Sequence, residues 1–197
     1  MAKVMSGQSP VIPSASDIEA AAKASQAKGL PPVDTWNPPL SGKIDIRIAR
    51  DGTWYHEGTR MTRPGLVRLF STILKREGDA YFLVTPVEKW QIEVEDAPFV
   101  AVDFTATGEG EMQVLRFTTN LGDTAVAGET LPLRIVRDYE TDEPSPYIMV
   151  RSGLEALIDR KSFYRLVDLG AHHEGWFGVW SQNCFFPIAP SDTIDPD

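Results

Sequence analysis

The residues most suited to chemistry are cations placed where a helix would disfavour them. Arg60 and Arg63 precede or open one predicted helix, and Arg160 and Lys161 open another. A positive charge at a helix N-terminus opposes the macrodipole by about 0.3–1 kcal/mol. A bound anion reverses that sign, because exposed N–H groups and cations then act together. The competing fate is that these side chains extend into water or pair with Glu57 and Asp159. Lys89 and Trp90 end the segment Thr85-Pro-Val-Glu-Lys-Trp90, set between two predicted strands. Lys89 could hold a phosphate or carboxylate as a point charge, and Trp90 could stack on a base. Trp54 and His56 share a strand face and could line the same groove, with Asn120 supplying a directional hydrogen bond and Arg151 a further charge. Against this, large aromatics generally pack in cores, and Asn120 and Arg151 taken singly suit structural roles.

Other chemistry is weakly represented. The sequence has no Gly-x-Ser-x-Gly elbow, Walker loop or zinc-protease helix motif. Gly108-Glu-Gly110 reads as a hairpin turn, since Glu109 and Glu111 would repel phosphate. His172 and His173 are adjacent, so their side chains point apart, and no third ligand follows at helical spacing. No metal and no cofactor are expected. Cys184, the one cysteine, reads as a small buried residue and excludes an intrachain disulfide. Glu88, Glu155 and Asp159 could act as acid–base groups if brought together, with salt bridges the alternative.

These residues need elements to position them. Residues 1–42 read as an arm containing a short helix from Ile18 to Ala27, capped by Ser14, Ser16 or Asp17, then a proline-rich stretch from Leu30 to Leu40 pinned by Trp36. Ile44, Ile46 and Ile48 alternate with polar residues as a strand, Asp51-Gly52 turns, and Trp54-Tyr-His56 returns. A helix from about Pro64 to Arg76 follows, with Thr62 as cap and Leu66, Leu69, Phe70, Ile73 and Leu74 as its apolar stripe. Strands are expected at 81–85, 90–94, 99–105 and 112–118. The later chain repeats this order: strand 147–151, turn at Ser152-Gly153, return 154–158, a helix capped by Asp159 through Phe163, Tyr164, Leu166 and Val167, then strand 175–180. Arg50 and Gly52 recur as Arg151 and Gly153, Arg68-Leu69 as Arg165-Leu166, and Tyr81-Phe82 as Trp176-Phe177. The expected fold class is α+β, two similar antiparallel-sheet-plus-helix domains from an internal duplication, with domains at 43–122 and 123–197.

Composition bounds the functions available. With 197 residues and 42% hydrophobic content, the chain can bury a core. Its net charge of -9 argues against a nucleic-acid polymer as partner. No apolar run suits a membrane span, and Met1 to Ile12 lacks a secretory h-region, so a cytoplasmic location is expected. From Lys43 to Gln91 there are nine basic and six acidic residues; from Ile92 to Ser145, three and twelve. The acidic middle suits solubility, while the basic first half suits one small anion.

Five segments carry a likeness. Ile46-Arg-Ile-Ala-Arg-Asp-Gly-Thr-Trp-Tyr-His56, Met61-Thr-Arg-Pro64, Thr85-Pro-Val-Glu-Lys-Trp90, Phe117-Thr-Thr-Asn120 and Val150-Arg-Ser-Gly-Leu-Glu-Ala-Leu157 resemble the bacterial domain-of-unknown-function family 1285. The resemblance spans about Ile44 to Phe186. It implies two similar α+β domains, the second superficially like a pleckstrin-homology fold, with a nucleotide-like ligand bound between them and a signal-transduction role. Together with the charge layout this gives a ligand-binding protein for a small anionic, nucleotide-like molecule held by Trp54, His56, Arg60, Arg63, Lys89, Trp90, Asn120 and Arg151. Two alternatives remain open: a hydrolase or transferase acting on such a ligand, and a protein-interaction adaptor that holds a protein partner through the arm and second domain.

Overall fold

A computed structural model describes residues 19–20 and 30–194. The expected helix of the arm lies outside the described residues apart from Glu19 and Ala20, which are helical. The described chain divides into two compact units. One runs to Ile48 and resumes over Thr53–Glu93; the other comprises Ala49–Gly52 and the chain from Val94 onward.

The first unit contains β1 (Leu40–Ile48), β2 (Trp54–His56), β3 (Thr59–Arg60), α1 (Pro64–Thr72), β4 (Leu74–Glu77), β5 (Ala80–Val84) and β6 (Lys89–Val94). Its six strands form one sheet in the order β3-β2-β1-β6-β5-β4. The alternation read in β1 puts Ile44, Ile46 and Ile48 in the core, where each buried side chain contributes roughly 1.5–3 kcal/mol. α1 buries Val67, Leu69 and Phe70, and the Phe70 ring meets Trp54 at 6.4 Å. The helix starts at Pro64, but Arg63 rather than Thr62 is the N-cap. It ends earlier than expected. Ile73 is the C-cap, and Leu74–Glu77 pairs with β5 as a strand, Leu74 opposite Leu83. Before β1, Val33 packs on Phe82 and Val84 with Trp36 beside them, and Leu40–Gly42 already belong to β1.

The second unit contains β7 (Phe99–Thr107), β8 (Val114–Thr119), β9 (Thr124–Val126), β10 (Leu133–Arg137), β11 (Pro144–Arg151), β12 (Leu154–Ile158), α2 (Arg160–Val167), β13 (Ala171–His173), β14 (Trp176–Ser181), β15 (Cys184–Pro190) and α3 (Ser191–Ile194). Its large sheet has the order β10-β11-β12-β7-β8-β9, and β13-β14-β15 form a smaller one. Phe99, Leu115, Phe117, Ile148 and Leu154 fill the core.

The α+β class with internal duplication is therefore present, as two similar six-stranded sheets each accompanied by a helix. Read from its third strand, each large sheet runs 3-2-1-6-5-4 within its own unit, so β1–β6 correspond to β7–β12, and the expected matching of Arg50 with Arg151 and Gly52 with Gly153 is off register, since 147–158 forms β11 and β12. The helices occupy different places: α1 links β3 to β4, whereas α2 follows β12. Pairings are antiparallel in every described register except β12 with β7, which is parallel. The expected boundary at 122/123 moves to Glu93/Val94, because β7 and β8 pair with each other and with strands of the second unit.

Candidate functional site

Six of the eight predicted site residues belong to the first unit and two to the second. Trp54 is 1% exposed and Trp90 4%, so both are core. Trp90 lies against Gly42, and its Nε1 donates to Glu88 at 3.4 Å. His56 is half-buried on β2 opposite Ile46, and Arg60 is exposed on the edge strand β3. Arg63 faces Glu19 at 3.4 Å. Lys89 donates to Glu77 at 2.7 Å and sits 5.1 Å from the Phe82 ring centre. Glu77 also holds Lys75 at 3.3 Å, and Lys75 donates to the Trp36 carbonyl at 2.8 Å. The hydrogen bond from Lys89 draws the Glu77 carboxyl below its ordinary pKa, with Lys75 adding to the effect and burial opposing it. Lys89 thus ties β6 to β4, and Lys75 ties β4 to the segment before β1.

In the second unit Asn120 serves the backbone. Its main-chain N–H donates to the Val100 carbonyl at 2.8 Å, and its side-chain oxygen accepts from the Val100 N–H at 3.1 Å. Gly52 turns with φ of 80°, and a side chain there would run into the Asn120 amide. Arg151 lies 4.9 Å from the Phe99 ring centre and 3.3 Å from Asp123. Glu155, a candidate acid–base group, is buried and gripped by Arg134 through two hydrogen bonds of 2.5 and 2.7 Å. His172 contacts Ser191 at 2.8 Å, while His173 packs on Trp180 and Phe185. Among the described residues no group of three or more His, Cys, Asp or Glu side chains is placed to hold a metal.

A different constellation gathers around a cavity of about 550 Å³ in the second unit. The start of β11, the end of β12 and the first turns of α2 wall it, and Arg50 of the 49–52 turn reaches its rim. Asp159 caps α2 as expected, accepting from the Ser162 N–H at 2.7 Å. Arg160 and Tyr164, in the first turns after that cap, line the cavity and are exposed. The sequence pattern puts Tyr164 on the apolar stripe, but only Phe163 and Leu166 of that stripe are buried. Arg50 donates to the Ser145 hydroxyl at 3.0 Å and stands 3.3 Å from Asp96. Asp96 in turn accepts from the Tyr147 hydroxyl at 2.7 Å. Burial and that bond push the Tyr147 phenol up to about 12. Arg160 pairs with Glu143 at 2.6 Å.

Two guanidinium groups, 61% and 72% exposed, therefore border one cavity with a hydroxyl and an aromatic ring. Chemically this can hold a small anion, because guanidinium forks match carboxylate and phosphate oxygens. Of these residues, Arg160 is marked in the sequence by its place at a helix start. Arg50, Ser145 and Tyr164 line this cavity without a local signal for it in the sequence, the first two because their contact spans 95 positions in the chain.

Comparisons with known proteins agree with the two-unit division. The N-terminal domain model of DUF1285, a domain of unknown function, matches residues 31–97, and the C-terminal domain model matches residues 98–188. The chain belongs to the DUF1285 family. A DUF1285 protein from Silicibacter pomeroyi DSS-3, solved by crystallography at 2.50 Å, is 59% identical with a TM-score of 0.85; the match covers 90% of this chain and 97% of that one. A DUF1285 protein from Shewanella baltica OS155, solved at 1.40 Å, is 28% identical with a TM-score of 0.49, covering 62% of this chain and 90% of that one. No curated protein matches. Among the described residues no helix is long and apolar enough to cross a membrane.

Proposed function

We propose that the protein binds a small anionic ligand, of phosphate or nucleotide type, in the cavity of its second unit, and that occupancy serves a signalling role. The observation that carries this reading is the convergence of Arg50 and Arg160 on that one cavity. Both guanidinium groups keep most of their surface in solvent, so a ligand anion can reach them. The Ser145 hydroxyl adds a directional partner, and the exposed Tyr164 ring offers a face for a planar group. Lys89 and Arg151 are left out of this site because neither lines the cavity and their side chains are only 16% and 19% exposed.

Thermal shift and calorimetry against inorganic phosphate, pyrophosphate, AMP and ADP test the reading. At least one compound is expected to raise Tm in the wild type and to lose that effect in an Arg50→Gln/Arg160→Gln double variant. No shift with any of them, or a shift that survives in the double variant, overturns it.

A further inference from the structure

The two cations of the cavity are held in opposite ways. Arg50 is fixed from behind: Asp96 is 15% exposed and is itself anchored by the Tyr147 hydroxyl, and the Arg50 backbone N–H donates to Glu95 at 3.0 Å. Arg160 is held from the solvent side by Glu143, both groups being mostly exposed. Glu143 also lines the cavity, so its carboxylate occupies guanidinium positions that a ligand anion would use.

The tip between β10 and β11 does not depend on that carboxylate. Asp138 Oδ1 accepts from the N–H groups of Glu140 and Thr141 at 3.0 and 2.9 Å and from the Thr141 hydroxyl at 3.0 Å. The Asp138 N–H donates to the Glu143 carbonyl at 3.0 Å, and Arg137 holds Asp142 at 3.0 Å. The tip is closed by its own bonds, leaving the Glu143 side chain able to swing away without unfolding it.

We infer that Glu143 is a built-in competitor for the anion site, occupying Arg160 until a ligand phosphate or carboxylate displaces it. This rests on the proposed function and states how that same site is regulated. Exposed ion pairs are weak, so displacement is easy and the competitor sets a threshold concentration without closing the site. Arg50 keeps its orientation throughout and Arg160 is the cation that answers the ligand.

Calorimetry with inorganic phosphate and pyrophosphate on the full chain tests this with Glu143→Gln, Arg160→Gln and the double variant, each checked for unchanged Tm without ligand. Glu143→Gln is expected to bind about two- to fivefold more tightly than wild type, a gain of the size that exposed pairs supply. That gain should vanish when Arg160 is already replaced. Equal or weaker binding by Glu143→Gln, or a gain that persists without Arg160, overturns the inference while leaving the proposed function standing. Absence of phosphate and pyrophosphate binding in both wild type and Glu143→Gln overturns the inference, and the proposed function falls with it when AMP and ADP also leave the wild-type Tm unchanged.

Discussion

The lysine cluster of the first unit and the arginine pair of the second use the same charges to different ends. Lys75 and Lys89 flank Glu77 with side chains only 12% and 16% exposed, and their remaining contacts go to the Trp36 carbonyl, Asn37 and the Phe82 ring. Both ammonium groups are thus turned inward on partners within the unit. Arg50 and Arg160 each have a carboxylate partner too, yet keep 61% and 72% of their surface in water beside a cavity. Partner count therefore fails to separate a structural cation from one able to meet a ligand. Solvent access on the far side of the charge does.

The most forceful way to break this comparison is Trp54→Ala. If the first unit's aromatics are core, losing a 1%-exposed ring packed on Phe70 costs about 3–5 kcal/mol in urea unfolding. A variant that stays as stable as wild type while losing phosphate binding would return Trp54 to the ligand site. Lys89→Met probes the lysine cluster itself. It is expected to cost about 1–2 kcal/mol, reduced because Glu77 is partly exposed, and to leave phosphate affinity within about twofold. Glu77 also gives the cluster an acid limit. Its carboxyl titrates below the ordinary 4.5 in the folded protein, so its contribution is complete above that pH and is lost as pH falls through the folded value. Glu77→Gln should flatten that part of the acid unfolding profile.

How much was readable beforehand varied with the range of the interaction. Alternation at Ile44, Ile46 and Ile48 and the stripe of Leu69 and Phe70 are local patterns, and both elements formed. Leu74-Lys-Arg-Glu77 also looks helical, being made of good helix formers, but its pairing with β5 decides for a strand. Strands β7 and β8 follow β6 directly in the chain and so read as part of the first domain; only the parallel pairing of β7 with β12, more than 50 positions on, assigns them to the second unit. In the candidate site, Arg160 carried a local signal through its helix start. Arg50 and Ser145 carried none, because only the folded sheet brings the 49–52 turn to β11. Lys89 and Arg151 looked like ligand cations because nothing local announces Glu77, 12 positions away, or Asp123 as their partners.

Tyr147→Phe sharpens the contrast from the Arg50 side. The ring and its stacking under Arg134 at 4.4 Å are retained, while Asp96 loses a hydroxyl donor, for about 1 kcal/mol at neutral pH. The phenol titrates near 12 in the fold against an ordinary 10, so its contribution is complete below about pH 10 and is lost as pH rises toward 12. Alkaline unfolding of the Phe variant should lack that slope. Persistence of the slope would assign it to another group and remove Tyr147 as the anchor of Asp96.

The smallest expected effect on stability separates the two regions most cleanly. Arg160→Gln removes an exposed pair with Glu143, so unfolding free energy should change by no more than about 0.5 kcal/mol. The same substitution should weaken phosphate binding several-fold, and added salt should weaken wild-type binding more than it lowers wild-type stability, because exposed charges are screened within about 10 Å at 0.1 M. Lys89→Met should show the reverse: a loss of stability with binding kept. If Arg160→Gln instead destabilises the fold as much as Lys89→Met does, the guanidinium is a structural clasp between α2 and the β10–β11 tip. The exposed surface beside the cavity would then no longer distinguish a cation that meets a ligand from one that only holds the chain.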